Sequence, residues 1–134
     1  MRRAIQLPAL ICLFLTLSAA SCRRDDDEPT VNPTIDLSTD SGYTFANDTF
    51  PVNDTLRVGV RIVRGDDGLN TFKVLSAYDN SADTVVDSLS IGTSSFSFDK
   101  TIITRAVAGT ERWTFWVQET DGDIIKRSLT FTVQ

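Results

Sequence analysis

The chain contains no histidine, so its candidate chemistry rests on carboxylates, cysteine and aromatic side chains. Histidine is the usual general base near neutral pH and the commonest metal ligand. Its absence excludes Ser-His-Asp and Cys-His catalysis, together with histidine-based zinc sites. The catalytic chemistry that is left is a pair of carboxylates, as in glycoside hydrolysis.

Glu111 and Glu119 are the two glutamates that follow residue 33. Eight residues apart on a regular strand, they would share a face but lie ~26 Å from each other, at ~3.3 Å per residue. Glycosidases need their two carboxyl groups within roughly 5 to 10 Å. We therefore expect no catalytic residue and no cofactor. A hydrolase built on two aspartates from different loops is the least favoured alternative.

Four aspartates in two turns are candidate calcium ligands, because calcium takes several oxygen ligands. They are Asp66, Asp67, Asp121 and Asp123. The sequence leaves open whether the two turns meet at one end of the fold. Acidic turn residues more often shape and solvate their turns, and we favour that interpretation.

Trp116 is a candidate for stacking against a ligand. In the stretch ERWTFWV (111–117), Trp113, Phe115 and Val117 would face the core, so Trp116 would face outward. An exposed indole could stack on sugar rings. The favoured alternative is that Trp116 covers a sheet edge beneath Arg or Lys stems.

Alternating apolar and polar residues predict short β-strands throughout residues 33–134. The clearest stretches are LRVGVRI (56–62), FKVLSAY (72–78), ERWTFWV (111–117) and SLTFTV (128–133). Weaker stretches are TIDLST (34–39) with YTF (43–45) as a split first strand, TVVDSLS (84–90) and SFSFDKTIIT (95–104). About seven strands separated by Gly-, Asp- and Asn-rich turns favour an all-β antiparallel sandwich, with a small barrel as the alternative.

The ending GTERWTFWVQETDGDIIKRSLTFTV (109–133) resembles the last strand pair of Ig-like modules in Bacteroidetes lipoproteins. In those modules a Tyr/Trp-x-Phe-x-Val-x-Asp-x-Asp-Gly pattern precedes a Thr-rich final strand. The resemblance implies an Ig-like β-sandwich domain over residues 33–134. The Cys…Trp…Cys core of true immunoglobulin domains is missing, so the likeness concerns architecture, which by itself implies no activity.

Residues 1–21 have the layout of a secretory signal: a basic start, an apolar run too short to span a membrane, and small residues before Cys22. The stretch Ala19-Ala20-Ser21-Cys22 resembles the lipobox of bacterial lipoproteins. The resemblance implies cleavage before Cys22 and lipidation of its thiol by a palmitate-type anchor. At ~0.8 kcal/mol per buried methylene, several acyl chains anchor a protein stably. The other cysteine leaves with the signal, so no disulfide is expected.

Residues 22–32 hold the lipidated cysteine and a charged linker with almost nothing to bury. Its acid run, formed by Asp25, Asp26, Asp27 and Glu28, resembles the acidic export tags of Bacteroidetes surface lipoproteins. Those tags send a protein to the outer face of the outer membrane. A plain spacer with retention in the periplasm is the alternative, and we favour surface display.

Without residues 1–21 the chain has 11 basic and 18 acidic residues, a formal charge of −7. Nucleic-acid affinity rests on cationic contacts, so this charge disfavours nucleic acid as a partner. We expect a lipid-anchored envelope protein that is not an enzyme, whose single domain binds or scaffolds at the bacterial surface. A glycan or another envelope protein would be the partner. A periplasm-facing inhibitor or assembly factor is the alternative.

Overall fold

The computed structural model describes residues 31–134, which form eight β-strands. The strands are β1 (Thr34–Leu37), β2 (Asp48–Phe50), β3 (Thr55–Val63), β4 (Leu69–Tyr78), β5 (Thr84–Ser90), β6 (Ser95–Ile103), β7 (Gly109–Glu119) and β8 (Ile124–Val133). Within this described range, no helix has the length and apolar content that crossing a membrane would require.

The strands form two sheets with one core between them. The three-stranded sheet has the order β1-β3-β6, and the five-stranded sheet has the order β2-β8-β7-β4-β5. Neighbouring strands are antiparallel except for the short β2, which runs parallel to β8. In Ig-like sandwiches, strands A, B and E face strands C, F and G, and here β1, β3 and β6 face β4, β7 and β8. The predicted all-β Ig-like sandwich is confirmed.

The core consists of the apolar side chains that alternate inward on both sheets, because successive residues of a strand point to opposite faces. Phe72 on β4 is fully buried, and its ring centroid lies 5.4 Å from Phe96 and 5.1 Å from Phe98 on the opposing sheet. The inward face predicted for β7 is confirmed, and the alternation predicted in β3 and β8 likewise places their apolar residues inside. Their buried residues are Leu56, Val58, Val60, Ile62, Trp113, Phe115, Val117, Leu129, Phe131 and Val133.

The second half of the predicted first strand is wrong. The chain reaches the five-stranded sheet at β2 (Asp48–Phe50) and not at residues 43–45. The physical reason is that Tyr43 lies over Gly59 and donates a hydrogen bond to Asp99, so this segment bends away from a strand path.

The five-stranded sheet extends past its partner, so β5 is an edge strand whose side chains are largely exposed. Lys100 on β6 closes the gap between the sheets on this side, because its Nζ lies 2.6 Å from Asp87 Oδ2 on β5. This partly buried ion pair lies at the lateral edge of the core.

Candidate binding site

An arch formed by residues 38–44 lies on the outer face of the three-stranded sheet. At its start the Ser38 amide donates to the Gly59 carbonyl at 2.8 Å, and at its end the Thr44 amide donates to the Arg57 carbonyl at 2.7 Å. The two carbonyls are two residues apart on β3, whereas the two amides are six apart. The extra backbone of the arch therefore stands away from the sheet, as in an enlarged β-bulge.

Tyr43 fixes the arch to the sheet. A Cβ atom at Gly59 would lie 2.7 Å from Tyr43 Cε1, so only glycine leaves room for the ring at this point of β3. The Tyr43 hydroxyl donates to Asp99 Oδ2 at 3.0 Å. The Arg57 guanidinium pairs with the same carboxylate and lies 4.6 Å from the Tyr43 ring centroid.

The charges in this network shift the pKa of each partner. The hydrogen bond from Arg57 holds the pKa of Asp99 below its ordinary value. Desolvation, followed by the hydrogen bond to Asp99, raises the pKa of Tyr43. Near neutral pH the carboxylate is therefore charged and the phenol is protonated, which is the pairing that the observed hydrogen bonds need.

An open groove of about 420 Å³ lies between the arch and the sheet. Its polar lining includes Asp36, Asp40, Tyr43, Arg61, Ser97 and Asp99. No motif in the sequence indicates this surface. The available signal was a glycine at an outward position of an alternating strand, since such a residue often marks the close approach of another group.

The two acidic turns meet at one end of the sandwich. The Gly65 amide donates to Glu119 Oε1 at 2.6 Å, which joins the β3–β4 turn to the end of β7. Carboxylate oxygens of Glu119, Asp121 and Asp123 lie within 4.8 Å of one another. From the sequence it was undecided whether the two turns lie at the same end of the fold, and Glu119 was not among the candidate ligands.

The candidate calcium ligands differ in their surroundings. Asp66 Oδ2 accepts a hydrogen bond from the Val31 amide at 2.7 Å, so Asp66 holds the start of the domain against the β3–β4 turn. Asp67 contributes to the negative field that Asp121 and Asp123 exert on Glu119. Calcium binding at these aspartates stays the alternative to the favoured role of shaping and solvating the turns.

Replacing Glu119 with glutamine is expected to change how stability depends on pH. Burial raises the pKa of Glu119 above its ordinary value of 4.5, Asp121, Asp67 and Asp123 add to the rise, and the Gly65 hydrogen bond opposes it. A raised folded-state pKa contributes stability that is complete below the unfolded-state pKa and is lost as the pH rises through the folded-state pKa. At pH 7 the native carboxylate is charged at a cost that the neutral glutamine avoids, so the variant should be at least as stable as the native protein in urea unfolding.

Glu119→Ala is the matched control, because it leaves the Gly65 amide without its acceptor and should be less stable at every pH. The pH dependence is the decisive readout. A stability difference between the native chain and Glu119→Gln that stays constant from pH 4 to pH 7 would contradict the assignment.

Glu111 lies at the opposite end of β7 and is fully buried. One carboxylate oxygen accepts the Arg105 amide at 2.7 Å, and the other accepts the Trp113 indole N–H at 3.2 Å. The carboxylate thus ties the β6–β7 loop to the core. Glu111 and Glu119 do not form a carboxylate pair, as their spacing predicted. Both are an even number of residues from Trp113 and therefore lie on the same buried face of β7, which was the sequence signal for their burial.

Trp116 lies on the outer face of the five-stranded sheet and is half-buried. Lys73, its cross-strand neighbour on β4, places Nζ 4.6 Å from the ring centroid. The lysine side chain therefore extends across the ring, with its ammonium group in a cation–π contact. Tyr43 packs against the other sheet, so the two rings do not share a site. Ligand stacking at Trp116 stays the alternative to the favoured role of covering the sheet.

The signal at residues 1–21, the lipidation candidate Cys22 and the export-tag candidate (Asp25, Asp26, Asp27 and Glu28) lie outside the described residues. They stay predictions.

No family model and no curated protein matches the chain. Among solved structures, a chain from a study of T cell specificity and activation by the bacterial superantigen toxic shock syndrome toxin-1 is similar, with 7% identity, a TM-score of 0.49, and coverage of 77% of this chain and 100% of that chain. Murine CRIg is similar with 9% identity, a TM-score of 0.38, and coverage of 77% and 97%. Both scores are below 0.5, so the assignment of an Ig-like fold rests on the strand order of this chain.

Proposed function

We propose that this chain is a lipid-anchored cell-envelope protein whose single Ig-like domain binds a partner at the bacterial surface. The observation that carries the proposal is the junction at Cys22. There an apolar run with a basic start ends in Ala-Ala-Ser-Cys, and a charged linker begins at once. This arrangement suits cleavage and acylation of the cysteine, followed by a spacer that keeps the domain away from the lipid.

The start of the domain is held against the β3–β4 turn, where the tether would join the sandwich. The Val31 amide donates to Asp66 Oδ2 at 2.7 Å, and the Asp66 amide donates to the Val31 carbonyl at 3.0 Å. Gly65 permits this crossing, because a Cβ there would lie 1.7 Å from the Val31 oxygen. Nine residue steps separate Cys22 from Val31, and they span at most about 32 Å. The tether therefore enters the sandwich at the end that carries the acidic turns.

The groove on the three-stranded sheet supports a binding role. It combines a rigidly held arch with charged and hydroxyl groups that face solvent. Surface sites that recognise a partner commonly consist of a preformed concavity and a few placed polar groups. This feature favours binding over a purely mechanical spacer.

Protease shaving of intact cells tests the location. A C-terminally tagged chain, expressed in cells that export surface lipoproteins, should lose its tag to added protease while a periplasmic marker protein survives. The matched control replaces the acid run (25–28) with Asn and Gln of the same shape. Under the proposal this control stays membrane-bound and becomes protected from protease.

The opposite pattern would support the alternative function. If the native tag is cleaved only after the outer membrane is opened, the domain faces the periplasm, and an inhibitor or assembly role replaces surface binding. Equal cleavage of the native chain and the control would show that the acid run is a spacer without an addressing role.

A further inference from the structure

We propose that the groove between the arch and the three-stranded sheet binds a neutral glycan through a pair of adjacent sugar hydroxyls held by Asp36 and Arg61. The inference rests on the proposed binding function and names the ligand class for it. It is carried by the placement of these two side chains on the sheet.

Asp36 on β1 and Arg61 on β3 are direct cross-strand partners. Residues directly opposite each other have Cβ atoms about 4.5 to 5.5 Å apart on the same face. Both side chains are exposed, and they lie on the outer face because Ile35 and Ile62 point into the core. The pair is therefore presented side by side on the floor of the groove.

Asp36 and Arg61 have no polar side-chain partner in the described part of the chain. Within residues 31–134, neither side chain takes part in an ion pair or a side-chain hydrogen bond. Other opposite charges in this range do pair, namely Arg57–Asp99, Lys100–Asp87, Arg105–Asp79 and Arg112–Asp83. A carboxylate and a guanidinium that make no polar side-chain contact within residues 31–134 thus lie side by side on the floor of the groove.

A vicinal diol is complementary to such a pair. Each sugar hydroxyl has one donor hydrogen and acceptor lone pairs. One hydroxyl can donate to Asp36 while its neighbour accepts from Arg61, and both bonds are charge-assisted. Ser97 continues the row on β6, since it is the cross-strand partner of Arg61, and it offers a third hydrogen-bonding group.

The charge of the lining favours a neutral sugar over an anionic one. Asp36, Asp40 and Asp99 line the groove against Arg61, and the Asp99 charge is shared with Arg57. A sulfate or carboxylate on the ligand would meet more negative than positive charge. The Tyr43 ring is packed against Gly59 and Arg57, so hydrogen bonds and not ring stacking would hold the ligand.

Backbone amide NMR of the full chain in detergent tests the inference. The probes are neutral oligosaccharides of glucose, mannose, galactose, xylose and N-acetylglucosamine, together with sulfated dextran oligomers. We expect at least one neutral probe to shift the amides of Asp36, Gly59, Arg61 and Ser97. Arg61→Gln and Asp36→Asn should each weaken that binding about tenfold. Arg64→Gln removes an exposed arginine outside the groove lining and should leave binding unchanged.

Several outcomes would overturn the inference. They are no shift with any neutral probe, preference for the sulfated oligomers, or shifts centred on Trp116. The proposed function fails separately, because protease shaving reports location whatever the ligand. An envelope protein that is captured by the native chain and lost with Asp36→Asn would keep the binding function and reject the glycan.

Discussion

Cys22→Ala is expected to abolish lipid attachment. Native protein from cells fed labelled palmitate should carry the label and partition into the detergent phase on Triton X-114 separation. The variant should carry no label, because the thiol that receives the acyl group is absent. Without several acyl chains the free energy of membrane binding falls far below what stable anchoring needs.

Cys12→Ala is the control for this experiment. Cys12 lies inside the apolar run and is expected to leave with the signal, so its replacement should preserve both the label and the partitioning. Label that persists in Cys22→Ala but disappears in Cys12→Ala would show that the junction has been misassigned. Label in neither the native chain nor the controls would refute lipidation altogether.

Glu111→Ala is expected to lower the free energy of unfolding by about 2 to 5 kcal/mol. The substitution removes the acceptor for two donors, the Arg105 amide and the Trp113 indole. Each donor left without a partner in the interior costs about 1 to 3 kcal/mol, and the lost side-chain volume adds a cavity. Urea unfolding followed by tryptophan fluorescence measures the loss, and the emission of Trp113 should also change in the folded state.

Glu111→Gln separates the two hydrogen bonds. Its amide oxygen can accept from one donor, while its amide NH₂ faces the other, so the loss should be smaller than that of the alanine variant but still measurable. Asp36→Ala is the control, since this exposed carboxylate has no partner within residues 31–134 and its loss should change stability by less than about 0.5 kcal/mol. Equal stabilities of Glu111→Ala and Asp36→Ala would contradict the structural role of Glu111.

Alternation along the strands was enough to predict the fold class and the core. The period of two placed Val58 and Ile62, Phe115 and Phe131 on buried faces, and the Asp-Gly turn placed the last hairpin. Such patterns are local, because residues two positions apart on a strand lie on the same face of the sheet. Glu111 and Glu119 alternate in step with Trp113 and are also buried, which the sequence did not lead us to expect because both residues are charged.

The candidate site could not be predicted from local patterns, because it depends on contacts between distant segments. Tyr43 meets Asp99 across 56 positions of sequence, and Gly65 meets Glu119 across 54. Nothing in the short stretch around Tyr43 indicates that its ring lies over Gly59. The free pair of Asp36 and Arg61 becomes visible only when the register of β1 and β3 is known.

The crossing of Val31 over the β3–β4 turn has a mechanical consequence. If the proposed lipid anchor pulls on the chain while a ligand occupies the groove, the load enters at Val31 and passes along β1. From there it reaches the groove through the hydrogen bonds of the β1–β3 pair, which are perpendicular to the strands and resist sliding together. The same pull also passes from Val31 to Asp66 and, through the Gly65 amide, to Glu119 at the end of β7, so both sheets share the load and resist being separated under tension.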